Sequence, residues 1–193
     1  MTSTPTALPS ATPTAPPDPR LLRTYLSDHL TGASGVISRV EWMLDRYAGT
    51  PTADVLGPLC AELHEERRVL RGLAQHLDVH LSPWKPTAAR VAERVGRLKP
   101  NGRLVSRSPL SLHLELEALR SGIAGKRSLW ATLEVWAPTL RLDAARFVAL
   151  RAQADAQVRA VDGLAARVRP VAFAVEAAVP DVTDDPSPVS TSR

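Results

Sequence analysis

The sequence predicts an all-α protein of four long helices, set as two antiparallel hairpins joined by a long crossover. Three observations predict it. Four stretches carry apolar side chains at alternating steps of three and four residues, the spacing that lines one face of a helix. The first pair and the last pair are separated by short links, which make antiparallel neighbours, and the middle link at 80–108 is long enough to cross the length of the helices. No apolar run approaches the roughly 18 residues of a membrane span.

The chain has 193 residues, 44% hydrophobic and 23% charged, the size and composition of one globular domain with a core. Residues 1–19 hold six prolines among Thr, Ser and Ala. Such a segment buries too little apolar surface to offset its ordering entropy, so a flexible, partly polyproline tail is expected. It has no basic start and no apolar stretch, hence no secretory signal, and a cytoplasmic location follows as the expectation. The single cysteine, Cys60, cannot form an internal disulfide and reads as a small core residue. Residues 180–193 read as a second, acidic Ser/Pro tail, which leaves 20–179 as the helical domain.

The first helix is predicted over 19–47, with Leu22, Leu26, His29, Ala33, Val36, Val40, Met43 and Tyr47 on its packing face, and Gly49-Thr50-Pro51 ends it. The second is predicted over 53–79, with Leu56, Leu59, Leu63, Glu66, Leu70, Leu73 and Leu77 facing in. Pro58 leaves its start open, because proline is best tolerated in a first turn. Within the crossover, 87–98 reads as a short amphipathic helix. Ala88, Val91, Val95 and Leu98 share one face, and Arg90, Arg94 and Arg97 another. A helix this short is marginal alone in water, so it is expected to be docked by its apolar face.

Ser108 and Pro109 form an N-cap and first position for the third helix, which runs to Trp136. Its face is Leu112, Glu115, Leu119, Gly122, Lys126, Leu129, Leu133 and Trp136. The fourth follows Asp143 as N-cap, with Phe147, Arg151, Ala154, Val158, Val161, Ala165 and Val168 facing in. Pro170 ends or kinks it, and 171–179 has the length of two further turns. Gly32 and Gly35 in the first helix and Gly122 and Gly125 in the third each cost about 1 kcal/mol relative to alanine. They predict a close approach where those two helices cross.

Two hairpins with one long crossover resemble the ferritin-like plan over about residues 20–170. Asp28-His29, the Leu-Glu-Leu-Glu run at 114–117, Gly96-Arg97-Leu98-Lys99 and Asn101-Gly102-Arg103-Leu104 make the chain similar to small ferritin-like bacterial proteins of an uncharacterised family. The active members of that class hold two metal ions with a carboxylate from each of two helices and a Glu-x-x-His pair from each of the other two. Here the second helix offers Glu62 and Glu65 at that spacing, with Glu in place of His. The fourth offers neither His nor Glu, and its packing face carries Arg151. The resemblance therefore implies the fold without a complete di-iron site, and no cofactor.

Five ionisable residues fall on packing faces: His29, Glu66, Glu115, Lys126 and Arg151. Buried charges are expensive unless paired, so these are expected to pair with one another, to reach solvent through a face shifted by one residue, or to line a polar pocket. Two hairpin registers remain open. A turn centred near residue 50 sets His29 opposite Leu70 or Arg71, and Glu66 opposite Ser34. A second helix starting at Pro58 sets His29 opposite His76, and Glu66 opposite Arg39. His76 and His80 lie four apart, a workable metal-ligand spacing.

The leading expectation is a non-catalytic binding or structural protein. One alternative is a metal-binding bundle that uses His29, Glu62, Glu66, His76 and His80 for a divalent transition metal. The other is a polyanion binder, for instance of nucleic acid, through residues 85–107. That segment holds seven basic residues against one acid, while the whole chain nets +4. Its anion-binding candidates are Arg90, Arg94, Arg97, Lys99 and Arg103. Another protein, or a second copy of the chain, is a further partner compatible with the sequence; a membrane is not. No Gly-rich phosphate loop, Cys cluster or nucleophile elbow is present.

Overall fold

A computed structural model of the chain describes residue 13, residues 15–79 and residues 109–174. Among these the secondary structure is helical, with no strand: α1 (Pro19–Arg46), α2 (Pro51–His76), α3 (Pro109–Trp136) and α4 (Ala144–Val168), followed by a 3₁₀ turn at Arg169–Val171. No helix among them is long and apolar enough to cross a membrane. The basic segment 85–107, the short helix expected at 87–98 and His80 lie outside the described residues, as do most of both tails.

Each helix begins where its local chemistry places it. Asp18 caps α1, its carboxylate accepting from the Arg20 and Leu21 amides at 2.7 and 3.4 Å, and Pro19 takes the first position, where its missing N–H removes nothing. That cap places the first turn one residue inside the stretch read as tail. Pro13 also touches the folded part, its carbonyl accepting from the Thr139 hydroxyl at 2.9 Å. Gly49, at φ 74°, turns the chain, and α2 starts at Pro51 rather than at Pro58, which sits inside the helix on an exposed face. α2 ends with Asp78 in the left-handed region at φ 51° and the Val79 amide bonding back to the Ala74 carbonyl. Asp143 caps α4 through the Ala145 amide at 2.9 Å. A 3₁₀ turn at Arg169–Val171 follows α4, and most of the 171–179 stretch read as two further turns lies outside the described residues.

The packing order follows from which side chains meet. Tyr25 meets Thr132, Val36 meets Gly122 and Arg39 meets Glu115, so residue numbers rise along α1 as they fall along α3. The same inversion relates α1 to α2 through Ser34–Arg67 and Glu41–His64, and α3 to α4 through Arg120–Asp162, Arg127–Asp155 and Arg151–Glu134. α1 therefore lies antiparallel to both α2 and α3. α4 packs on α3 and α2, and α2 and α3 run parallel on a diagonal, as the long link between them requires. One hydrophobic core joins all four helices, and Trp130, Leu26, Met43, Leu56, Leu70, Leu116, Leu119 and Ile123 are among its fully buried side chains.

The glycine expectation holds at one position and not at two others. A Cβ on Gly122 would stand 2.5 Å from Cγ2 of Val36, so α1 and α3 do approach closely there. Gly32 and Gly125 have nothing within 4 Å of a Cβ. Their small size leaves space open instead. Gly122→Ala is therefore expected to lower stability, because overpacking costs about 1–3 kcal/mol against about 1 kcal/mol regained in helix propensity. Gly125→Ala is expected to raise stability by about 0.5–1 kcal/mol. Thermal melting of the two variants checks the opposite signs.

Candidate functional site

The residues that could carry chemistry converge on α2. Glu62 and Glu66 lie four apart, so both carboxylates project from one helical face toward the other helices. Glu66 is 2% exposed and forms an ion pair with Lys126 of α3. The Lys126 ammonium also donates to the side-chain carbonyl of Gln157 on α4. The Gln157 amide nitrogen donates in turn to Glu62 at 2.7 Å and to Glu66 at 3.2 Å. Three helices thus share one closed polar network inside an apolar core. Each charge has partners, which is the condition for burying it at all.

Burial still outweighs pairing. It pushes the Glu66 carboxyl above its ordinary range, although Lys126 and Gln157 pull it back down. It pushes the Lys126 ammonium below its ordinary range against the pull of Glu66 and Glu62. A second buried carboxylate, Glu115, is also pushed up by burial and is held by an ion pair with Arg39 of α1. Arg151, expected to face the core, lies half-buried at the edge and donates to Glu134 at 2.9 Å. Of the five ionisable residues expected on packing faces, Glu66 and Lys126 pair with each other, and Glu115 and Arg151 take other partners.

His29 borders a cleft of about 240 Å³ between α1, α2 and α3. Its polar lining is Asp28, His29, Arg67 and the buried Glu66–Lys126 pair. Its apolar lining includes Val36, Ile37, Leu63 and Trp130, and Gly32 and Gly125 also line it. Burial holds the His29 imidazole below its ordinary range, with Asp28 pulling it part of the way back. The ring packs edge-on against Tyr25 at 4.6 Å between centroids.

The proposed metal ligands are thus placed in three different settings. Glu62 and Glu66 bond to Gln157 and Lys126. His29 and Leu70 both line the cleft. His76, expected opposite His29 in the second register, ends α2 exposed and lines no part of the cleft. The hairpin meets through Ser34–Arg67, which fits the first register, and through Glu41–His64, which fits the second, so it lies between the two. Among the described residues, the group of three ligand-type side chains whose donor atoms come within 4.8 Å of one another is a different one, Glu41, Cys60 and His64.

Sequence reading did not select Gln157, Cys60 or Glu41 for the site. Gln157 is three residues after Ala154 and four before Val161, so it fits the packing face as well as Val158 does. It is Gln157 that is buried, at 3% exposed, while Val158 is half-buried. For Cys60 the available signal was His64, one helical turn away.

The network yields a test by paired replacement. Lys126→Met alone leaves the Glu66 carboxylate buried without its cation, and Glu66→Leu alone leaves the ammonium. Each is expected to cost about 3–5 kcal/mol, whereas the double variant recovers most of that loss, because a pair of apolar side chains leaves no unpaired charge. Equilibrium denaturant unfolding of the three variants reads both outcomes. Comparison of the chain with protein-family models, with curated proteins and with solved structures finds no match.

Proposed function

We propose that this chain is a ferritin-like four-helix bundle that binds a small molecule rather than catalysing a reaction, and that its interior holds an organic cation where the active members of that class hold two metals. The observation that carries this reading is Lys126. Its ammonium sits between Glu66 and Gln157, at a point where α2, α3 and α4 meet. A fixed positive charge there repels a metal cation and uses up the carboxylate that would bind one. α4 has neither glutamate nor histidine, and its aspartates, Asp155 and Asp162, are bonded to Arg127 and Arg120. The residues present do not fit a di-iron centre.

The connectivity supports the ferritin-like plan. Two antiparallel hairpins, a long link and a parallel diagonal pair of second and third helices are what that plan requires. The cleft beside the network supports the binding role. Apolar walls with a few polar groups are the usual make-up of a small-molecule site, although this cleft is smaller than the usual range. An amphiphile of modest size, with an apolar body and one polar end toward His29, Arg67 and Lys126, matches that lining.

Two measurements test the reading. Anaerobic loading with ferrous iron followed by elemental analysis is expected to give no stoichiometric iron pair, and two irons per chain would contradict it. The dye 1-anilinonaphthalene-8-sulfonate, an amphiphile with one anionic group, is expected to fluoresce on binding the native chain. Gly32 lines the cleft and a Cβ there would have nothing within 4 Å, so Gly32→Leu is expected to fill part of the cleft and abolish that signal. Equal dye binding by both proteins would place no binding site in the cleft.

A further inference from the structure

We propose that Glu41, Cys60 and His64 form a binding site for one divalent ion of the zinc or cobalt class, at the seam between α1 and α2. The site is built by two helices. Cys60 and His64 are one turn apart on a single face of α2, so their side chains point the same way. Glu41 comes from the antiparallel α1, its carboxylate 3.0 Å from Nε2 of His64. The three donor atoms lie within 4.8 Å of one another. Donors bound to a common tetrahedral zinc stand about 3.5 Å apart, so small side-chain movements close the site.

The donor set decides the class of ion. A thiolate, an imidazole and a carboxylate suit zinc or cobalt, whereas calcium and magnesium take oxygen ligands almost alone. Cys60 is 7% exposed and forms the base of the group. The side chains of His64 and Glu41 are 39% and 51% exposed, so an ion reaches the site without opening the core. Three protein ligands leave the fourth position to water. A simple Glu–His contact between helices has no need of a thiol beneath it. None of the three residues lines the cleft or touches the Lys126 network, so this site stands independently of the interior.

Cobalt(II) titration of the metal-free full-length protein tests the proposal. One cobalt per chain is expected, with a thiolate-to-cobalt charge-transfer absorption that zinc displaces. Cys60→Ser is expected to abolish that absorption. His64→Gln and Glu41→Gln, both on the surface and safe for folding, are each expected to weaken binding by about tenfold or more, the scale that even outer-shell partners of a metal command. His76→Gln is expected to leave the titration unchanged. The proposal is overturned by cobalt binding without a thiolate band, by a titration indifferent to His64→Gln and Glu41→Gln, or by loss of binding in His76→Gln. The iron and dye measurements on the interior have no bearing on these outcomes.

Discussion

A buried ammonium has to be satisfied from every side, and the arrangement of α2, α3 and α4 follows from that need. Lys126 leaves α3 and reaches diagonally to Glu66 on α2, a helix with which α3 makes no backbone-level packing of its own. On the way it engages Gln157 of α4, which also binds Glu62. Sliding any one of these helices by a turn would strand a charge or a primary amide in an apolar core. Apolar faces tolerate many registers, because one leucine replaces another at modest cost. A closed polar network tolerates one. The network thus contributes register to the fold more than it contributes net stability.

The same constraint shapes the space beside it. The cleft opens where Gly32 and Gly125 supply no side chain and where the Glu66–Lys126 pair forms part of the lining. A few residues away Gly122 does the reverse and lets α1 close against α3 over Val36. Tight contact and open space therefore alternate along one helical crossing, set by whether a missing Cβ faces a neighbour. The Glu41–Cys60–His64 group sits on the other hairpin seam, where α1 and α2 bring polar side chains together near solvent.

Much of the fold was legible in the sequence. The steps of three and four residues located four helices, and the link lengths ordered them into hairpins. The packing faces of Leu56 through Leu73 on α2 and of Leu119, Leu129 and Leu133 on α3 are buried as read. What was not legible depends on a second helix. Val36 and Ile37 fit a first-helix face almost equally well, and it is Ile37 that is buried. Glu62 and Glu66 have the look of metal ligands until Lys126 and Gln157 are set against them. Glu41 lies nineteen residues from Cys60, and only the hairpin register joins them. The sequence places the second helix from about residue 53, and Pro58 leaves a later start open because a proline costs a backbone hydrogen bond. The Thr50-Pro51 start and the packing of Leu56, Leu59 and Cys60 outweigh that cost.

Lys126 is a buried, partnered cation that burial holds below the ordinary lysine range. The chain has three lysines, Lys85, Lys99 and Lys126, so selective carbon-13 labelling of lysine gives few signals to assign. Nuclear magnetic resonance titration of the Lys126 side chain is then the most direct measurement. The expected midpoint lies clearly below the roughly 10.4 of a free lysine and moves further down when Glu66 is replaced by glutamine. A midpoint at the free value, unmoved by that replacement, would show the ammonium in solvent and contradict the account.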